Sequence, residues 1–171
     1  MSDTGVPGNE EQFRAYCSAR LPALLRFGFM LTGDREDAKD LVQTALARTF
    51  AAWPRVVRRD DPEPYIRRAM INTLSNSRRR RPWRELLVAD VPDRGVNEGR
   101  QGGVDARLVL VALLRTLPPK QRAAVVLRYC EDRSEADVAA LLGCSTGTVK
   151  SQTAKGLAKL RAAMPSEEVA G

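Results

Sequence analysis

The chain has 171 residues, 43% hydrophobic and 29% charged, a profile that fits one globular domain or two small ones and excludes a disordered chain. Lysine and arginine outnumber the acids by 28 to 21, and the resulting +7 favours a polyanionic partner, nucleic acid or an anionic membrane surface. The absence of histidine excludes histidine-dependent catalysis and histidine-containing zinc sites.

No apolar run approaches the roughly 20 residues that span a bilayer, so no membrane insertion is expected. The acidic start MSDTGVPGNEEQ is not a signal peptide, and a cytoplasmic, reducing location is expected. Cys17, Cys130 and Cys144 lie far apart with no CxxC pair, beside apolar residues, and read as buried free thiols. No cofactor or metal is expected.

Helical periodicity dominates the chain and strand alternation is nowhere sustained. The first helix is predicted from about Glu11 to Leu31, with Phe13, Leu21, Leu24, Leu25 and Phe29 in the core and Pro22 bending or dividing it. Thr32-Gly33 ends it. Asp34 then caps a second helix, with Glu36 and Asp37 matching the dipole of its first turn. Ala38, Leu41, Val42, Ala45, Leu46, Thr49 and Phe50 recur on it at helical spacing, up to Trp53-Pro54.

The proline-rich, charged segment from Pro54 to Pro64 reads as a loop. A third helix follows from Tyr65 to about Arg80, with Ile66, Ala69, Met70, Thr73 and Leu74 inward. The Gly-rich, acid-containing stretch from Arg84 to Gly103 has no lasting period and reads as an interdomain linker. Beyond it, Asp105 is expected to cap a helix ending near Leu117, and Pro118-Pro119 to start another running to about Cys130. Ser134 with Asp137 forms a capping box for a helix that stops at Gly143, and Ser145 caps the last, to about Met164. The expected fold is all-α: two small helical domains, 1–83 and 105–171, joined by a flexible linker, 84–104.

The final pair of helices has the spacing of a helix-turn-helix. Ala139 lies four residues before Gly143 and Val149 six after it, with Val138 and Leu142 also apolar. A small residue lets the helices approach, glycine takes the left-handed turn, and an apolar residue anchors the second helix. On that helix Val149, Thr153, Gly156, Leu157 and Leu160 form the expected buried stripe. Ser145, Thr146, Thr148, Lys150, Ser151, Gln152, Lys155 and Lys159 remain for bases and phosphates. An ordinary solvated helix mixes both charge signs, whereas no acid stands between Thr146 and Arg161.

A second surface is suggested by YIRRAMINTLSNSRRRRPWR, from Tyr65, with seven arginines and no acid. Arg67, Arg68, Asn72, Asn76, Arg78, Arg79, Arg80 and Arg81 suit phosphates and unstacked bases, with Tyr65 and Trp83 interleaved. The alternative is a solvated helix end with a basic tail. The second helix instead opens with Asp34, Glu36, Asp37 and Asp40, which suits a basic protein partner or plain dipole complementation.

Together these segments resemble the extracytoplasmic-function (ECF, group IV) sigma factors of bacterial RNA polymerase, sigma-70 family. DREDAKDLVQTALARTFAAW is similar to the clamp-binding helix of that family, and YIRRAMINTLSNSRRRR to its −10-element helix, with Asn72 at the usual asparagine. LPPKQR, LGCSTGTVKS and the terminal KLR are similar to its −35-binding domain. The resemblance implies a non-enzymatic promoter-specificity subunit that binds core RNA polymerase through Asp37, Asp40, Leu41 and Gln43. It also implies melting of the −10 element by the Pro54–Pro64 loop and the helix after it, and insertion of the Ser145–Lys159 helix in the −35 major groove. Two domains on a flexible linker would allow an anti-sigma factor, as a further partner, to clamp them together. Lys39, SEADVA without an aromatic, and Gln152 depart from the usual pattern. A stand-alone helix-turn-helix regulator is the alternative function, and a nuclease is disfavoured because no compact carboxylate cluster suits two metals.

Overall fold

A computed structural model describes residues 8–59, 61–79 and 103–164, and among these every regular element is helical. The chain divides into two compact units, Met1–Thr73 and Leu74–Gly171. The first holds α1 (Asn9–Thr32), α2 (Arg35–Val56), a 3₁₀ turn (Val57–Arg59) and most of α3 (Glu63–Arg79). The second holds α4 (Gly103–Arg115), α5 (Pro119–Val125) with a π turn (Val126–Cys130), α6 (Glu135–Leu142) and α7 (Thr146–Ala163). The predicted linker lies almost entirely outside the described residues.

Caps set the boundaries where the sequence placed them. The Gly33 N–H returns to Phe29 O at the end of α1, and Asp34 accepts the Asp37 N–H at 2.9 Å. Ser134 and Asp137 exchange side-chain-to-backbone bonds of 3.1 and 3.4 Å, the reciprocal box expected from the sequence.

Neither Pro22, expected to bend or divide the first helix, nor Pro54, expected to open a loop, divides its helix. Pro22 stays within α1 and Pro54 within α2. Each proline removes one helical donor, but Pro22, Pro54 and the residues four positions before them, Ser18 and Phe50, are exposed, so water reaches the freed carbonyls. The buried Trp53 and Val56 hold the end of α2 to the core, leaving a much shorter connection than the predicted Pro54–Pro64 loop. Asp105 likewise sits inside α4, which begins at Gly103.

Leu24, Phe27, Leu31, Val42, Trp53, Ile66 and Met70 fill the core of the first unit. Of the predicted core positions on α1, Leu24 is buried, Leu21 is exposed, and Phe13, Leu25 and Phe29 are half-buried; Phe27 and Leu31 lie deeper. Phe13 instead joins Phe50 and Trp53 in an aromatic cluster, with ring centroids 5.1 and 5.0 Å away. On α2 the predicted Ala38, Leu41, Val42, Ala45 and Thr49 are buried, while Phe50 is exposed.

In the second unit Leu114, Leu117, Val126, Leu127, Val138 and Val149 are fully or almost fully buried. Buried Arg122 donates from Nη2 to Arg115 O (3.1 Å) and Leu117 O (2.9 Å), satisfying carbonyls left open at the end of α4. The three cysteines are free thiols, but Cys17 and Cys144 are only half-buried and Cys130 is exposed. Burial still raises the Cys17 thiol pKa.

Candidate nucleic-acid interface

The helix-turn-helix is built by α6, a tight turn and α7. Gly143 ends α6 with φ 65° and ψ 40°, a left-handed conformation that glycine adopts without a Cβ clash. The Cys144 N–H then bonds Ala139 O at 3.0 Å, and Ser145 Oγ accepts the Thr148 N–H at 3.1 Å to start α7. Val138 and Val149 are fully buried on either side of the turn and Ala139 is nearly so, as the spacing predicts. Leu142 is half-buried, and Leu141 contributes the deeper contact.

One face of α7 is anchored by Val149, Thr153 and Gly156, all buried, with Leu157 and Leu160 half-buried at its edge. Thr153 Oγ1 donates to Val149 O at 2.8 Å, so its hydroxyl is satisfied within the helix. A Cβ on Gly156 would stand 2.7 Å from Val125 Cγ2, well inside contact distance. The glycine therefore sets how closely α7 approaches α5.

The opposite face is open. Ser145, Thr146, Thr148, Lys150, Ser151, Lys155 and Lys159 are exposed, and Gln152 is half-buried. Ser145 also has an architectural task, since its Oγ caps the helix and lies 3.0 Å from Thr148 Oγ1. Lys150 Nζ faces Glu135 Oε2 of α6 at 3.7 Å, with the lysine side chain 66% exposed. Such a contact contributes little in water and leaves the ammonium available to a phosphate. The result is a polar, cationic ridge backed by a packed domain, with hydroxyls at its N-terminal end.

The second predicted surface divides into two parts. Arg68, Asn72 and Asn76 are exposed on α3, together with Tyr65 one turn earlier. Arg67 is not on that face: it is 2% exposed, and its Nε and Nη2 donate to Glu63 Oε1 at 3.0 and 2.7 Å. Its guanidinium lies 4.6 Å from the Phe27 ring centroid. The assignment of Arg67 to DNA is therefore corrected to a core ion pair. The signal was in the sequence, because Glu63 stands four residues upstream of Arg67, just before the acid-free run begins. Arg80 and Arg81 lie outside the described residues, as do the side chains of Arg78 and Arg79.

On α2, Asp37, Asp40 and Gln43 are exposed, but Leu41 is 6% exposed. Leu41 packs into the core with Ala38, Val42 and Ala45, so it is removed from the predicted docking residues. Glu36 is paired with Lys39 at 2.8 Å, which leaves the acidic row only partly neutralised.

Among the described residues no group of histidine, cysteine or carboxylate side chains could hold a metal ion. No helix among them is long and apolar enough to cross a membrane.

The model of Sigma-70 region 2 matches residues 18–84, and that of Sigma-70, region 4 matches residues 107–160. The chain is 40% identical over 162 residues to the RNA polymerase sigma-E factor of Streptomyces avermitilis, covering 95% of this chain and 90% of that protein. It is also 40% identical to the RNA polymerase sigma-E factor of Streptomyces coelicolor, over 90% of this chain and 86% of the relative. Among solved structures, the sigma factor RpoE in complex with the anti-sigma factor NepR from Bartonella quintana matches with a TM-score of 0.68 and 25% identity. That alignment covers 88% of this chain and 95% of the other.

Proposed function

Because the chain belongs to the sigma-70 family, as an extracytoplasmic-function sigma factor that directs RNA polymerase to promoters, we propose which of its surfaces perform each step. Asp37, Asp40 and Gln43 on α2 dock the polymerase clamp. The connection before α3, with Arg68, Asn72 and Asn76 and the arginines from Arg78 to Arg81, captures and melts the −10 element. The exposed face of α7 enters the −35 major groove, where its hydroxyls meet base edges and its lysines neutralise phosphates. The functional domains are 1–83 and 105–171, with 84–104 as the tether between two DNA contacts.

The observation that carries this reading is the two-faced α7: Val149, Thr153 and Gly156 buried, and an acid-free hydroxyl and lysine face exposed. The protein acts in the cytoplasm as a binding subunit and catalyses no reaction itself. The structural neighbour bound to NepR supports an anti-sigma factor as its negative regulator.

Run-off transcription from a promoter library, with and without core polymerase, tests the assignment. Promoter-specific transcripts are expected only when both proteins are present. A chain that shifts operator DNA alone and fails to bind core polymerase would instead be a stand-alone regulator.

A further inference from the structure

The inward-turned Arg67 belongs to a cluster of charges at the start of α3. Glu63, the first residue of that helix, is 4% exposed. Its Oε1 receives both bonds from Arg67, and its Oε2 pairs with Nη2 of Arg20 on α1. The residues just before the helix are tied into the same turn. Asp61 Oδ1 accepts the Glu63 N–H at 3.0 Å, and Pro62 O accepts the Ile66 N–H at 3.1 Å.

Burial of such charges is a poor source of net stability, because desolvation offsets much of the attraction. Its distinctive property is direction. Two contacts tie α3 to α1 here, Glu63 Oε2 on Arg20 and the Arg67 guanidinium over the Phe27 ring, and together they constrain the rotation and axial setting of α3 against α1. That setting decides where the opposite face points. Tyr65, Arg68, Asn72 and Asn76 recur at intervals of three, four and four, and all are exposed. They form one outward row of an aromatic ring, a guanidinium and two amides.

We propose that Arg20, Glu63 and Arg67 form a positioning unit that fixes the rotation of α3 and aligns the Tyr65–Arg68–Asn72–Asn76 row on the melted −10 strand. The proposal rests on the reading that α3 faces the −10 element. Glu63 and Arg67 are too buried to touch DNA and act only through the row. Misaligning such a row affects strand capture more than initial docking, because the flipped bases require close placement while the clamp and −35 contacts lie elsewhere.

The test uses the full chain with core polymerase on a promoter that the wild type selects from a randomised library. Glu63→Gln keeps the side-chain shape and removes the charge. Arg20→Ala removes the link to α1 at a half-exposed side chain, and Arg20→Lys restores the cation. Core affinity, thermal unfolding, permanganate reactivity of the bubble and run-off from promoters changed at each −10 base are measured.

Glu63→Gln and Arg20→Ala are expected to keep core affinity while slowing opening by roughly tenfold or more and blunting discrimination among −10 bases. Arg20→Lys is expected to recover much of both. Wild-type opening and base discrimination in the two variants would overturn the proposal. So would losses that follow the melting temperature while discrimination stays intact, since that is the mark of a purely structural pair. A wild type that binds core but opens no promoter would remove the −10 reading itself, an outcome distinct from either.

Discussion

α3 and α7 carry the largest net positive charge of the helices among the described residues, and they use their cations in opposite ways. On α7, Lys150, Lys155, Lys159 and Arg161 all stand in solvent, and the helix is held by Val149, Thr153 and a glycine that admits Val125. On α3 adjacent arginines separate: Arg68 is exposed, while Arg67 turns in to meet Glu63. The difference lies in what each helix offers behind the charge. α7 has small and apolar residues at the anchoring positions, so no cation is drawn inward. α3 has an acid one turn before Arg67 and an aromatic ring on α1 to cover it, so one cation becomes part of the core.

The contrast is most directly broken at Arg67. Arg67→Ala should destabilise the protein by about 3 kcal/mol in denaturant unfolding, because it removes both Arg67 bonds to the buried Glu63 carboxylate. Arg68→Ala should stay within about 0.5 kcal/mol and lose promoter opening instead. Equal stability losses at the two positions would dissolve the distinction. The next largest effect is expected at Gly156→Ala, where the new Cβ meets the buried, stiff Val125; about 1–3 kcal/mol should be lost by overpacking, seen as a lower melting temperature.

Ser145→Ala removes the cap that starts α7 and should cost about 1 kcal/mol. Since Ser145 Oγ is already engaged with Thr148, weaker −35 binding in this variant should track helix stability, and circular dichroism together with DNA affinity would separate the two effects. The smallest change in stability, within about 0.5 kcal/mol, is expected for Lys150→Ala and Lys155→Ala. Each should reduce the slope of log affinity against log salt by about one if the lysine meets a phosphate. Unchanged slopes in both variants would detach α7's lysines from the DNA backbone.

Much of the fold was legible because caps and turn residues are local signals. Asp34, Ser134 with Asp137, Gly143 and Ser145 each act within a few residues of themselves, and the helices begin and end at them. Pro54 and Asp105 misled because their effect depends on what lies beyond the local window. Pro54 is tolerated because Trp53 and Val56 are buried around it, and Asp105 is overtaken by a helix that starts at Gly103.

The same division holds for the site. The open face of α7 could be read from the absence of acids, a property of the helix alone. Leu41 and Arg67 could not be placed so simply. Leu41 shares its helical face with Ala38 and Ala45, and Arg67 finds its partners both one turn back and on another helix. A motif locates a segment, but the neighbouring helices decide which of its side chains look outward.

The arrangement of α7 has a practical consequence for retargeting. Apart from Gln152, its anchoring side chains and its outward side chains share no position, and the depth of the helix is set from behind, at Gly156 against Val125. Thr148, Ser151 and Lys155 can therefore be varied as a cassette while the scaffold stays constant, and libraries at those sites should yield altered promoter preferences without a matching toll on folding. Gln152, half in and half out, is the hinge of such a library: changes there should be the first for which new specificity and lost packing appear together.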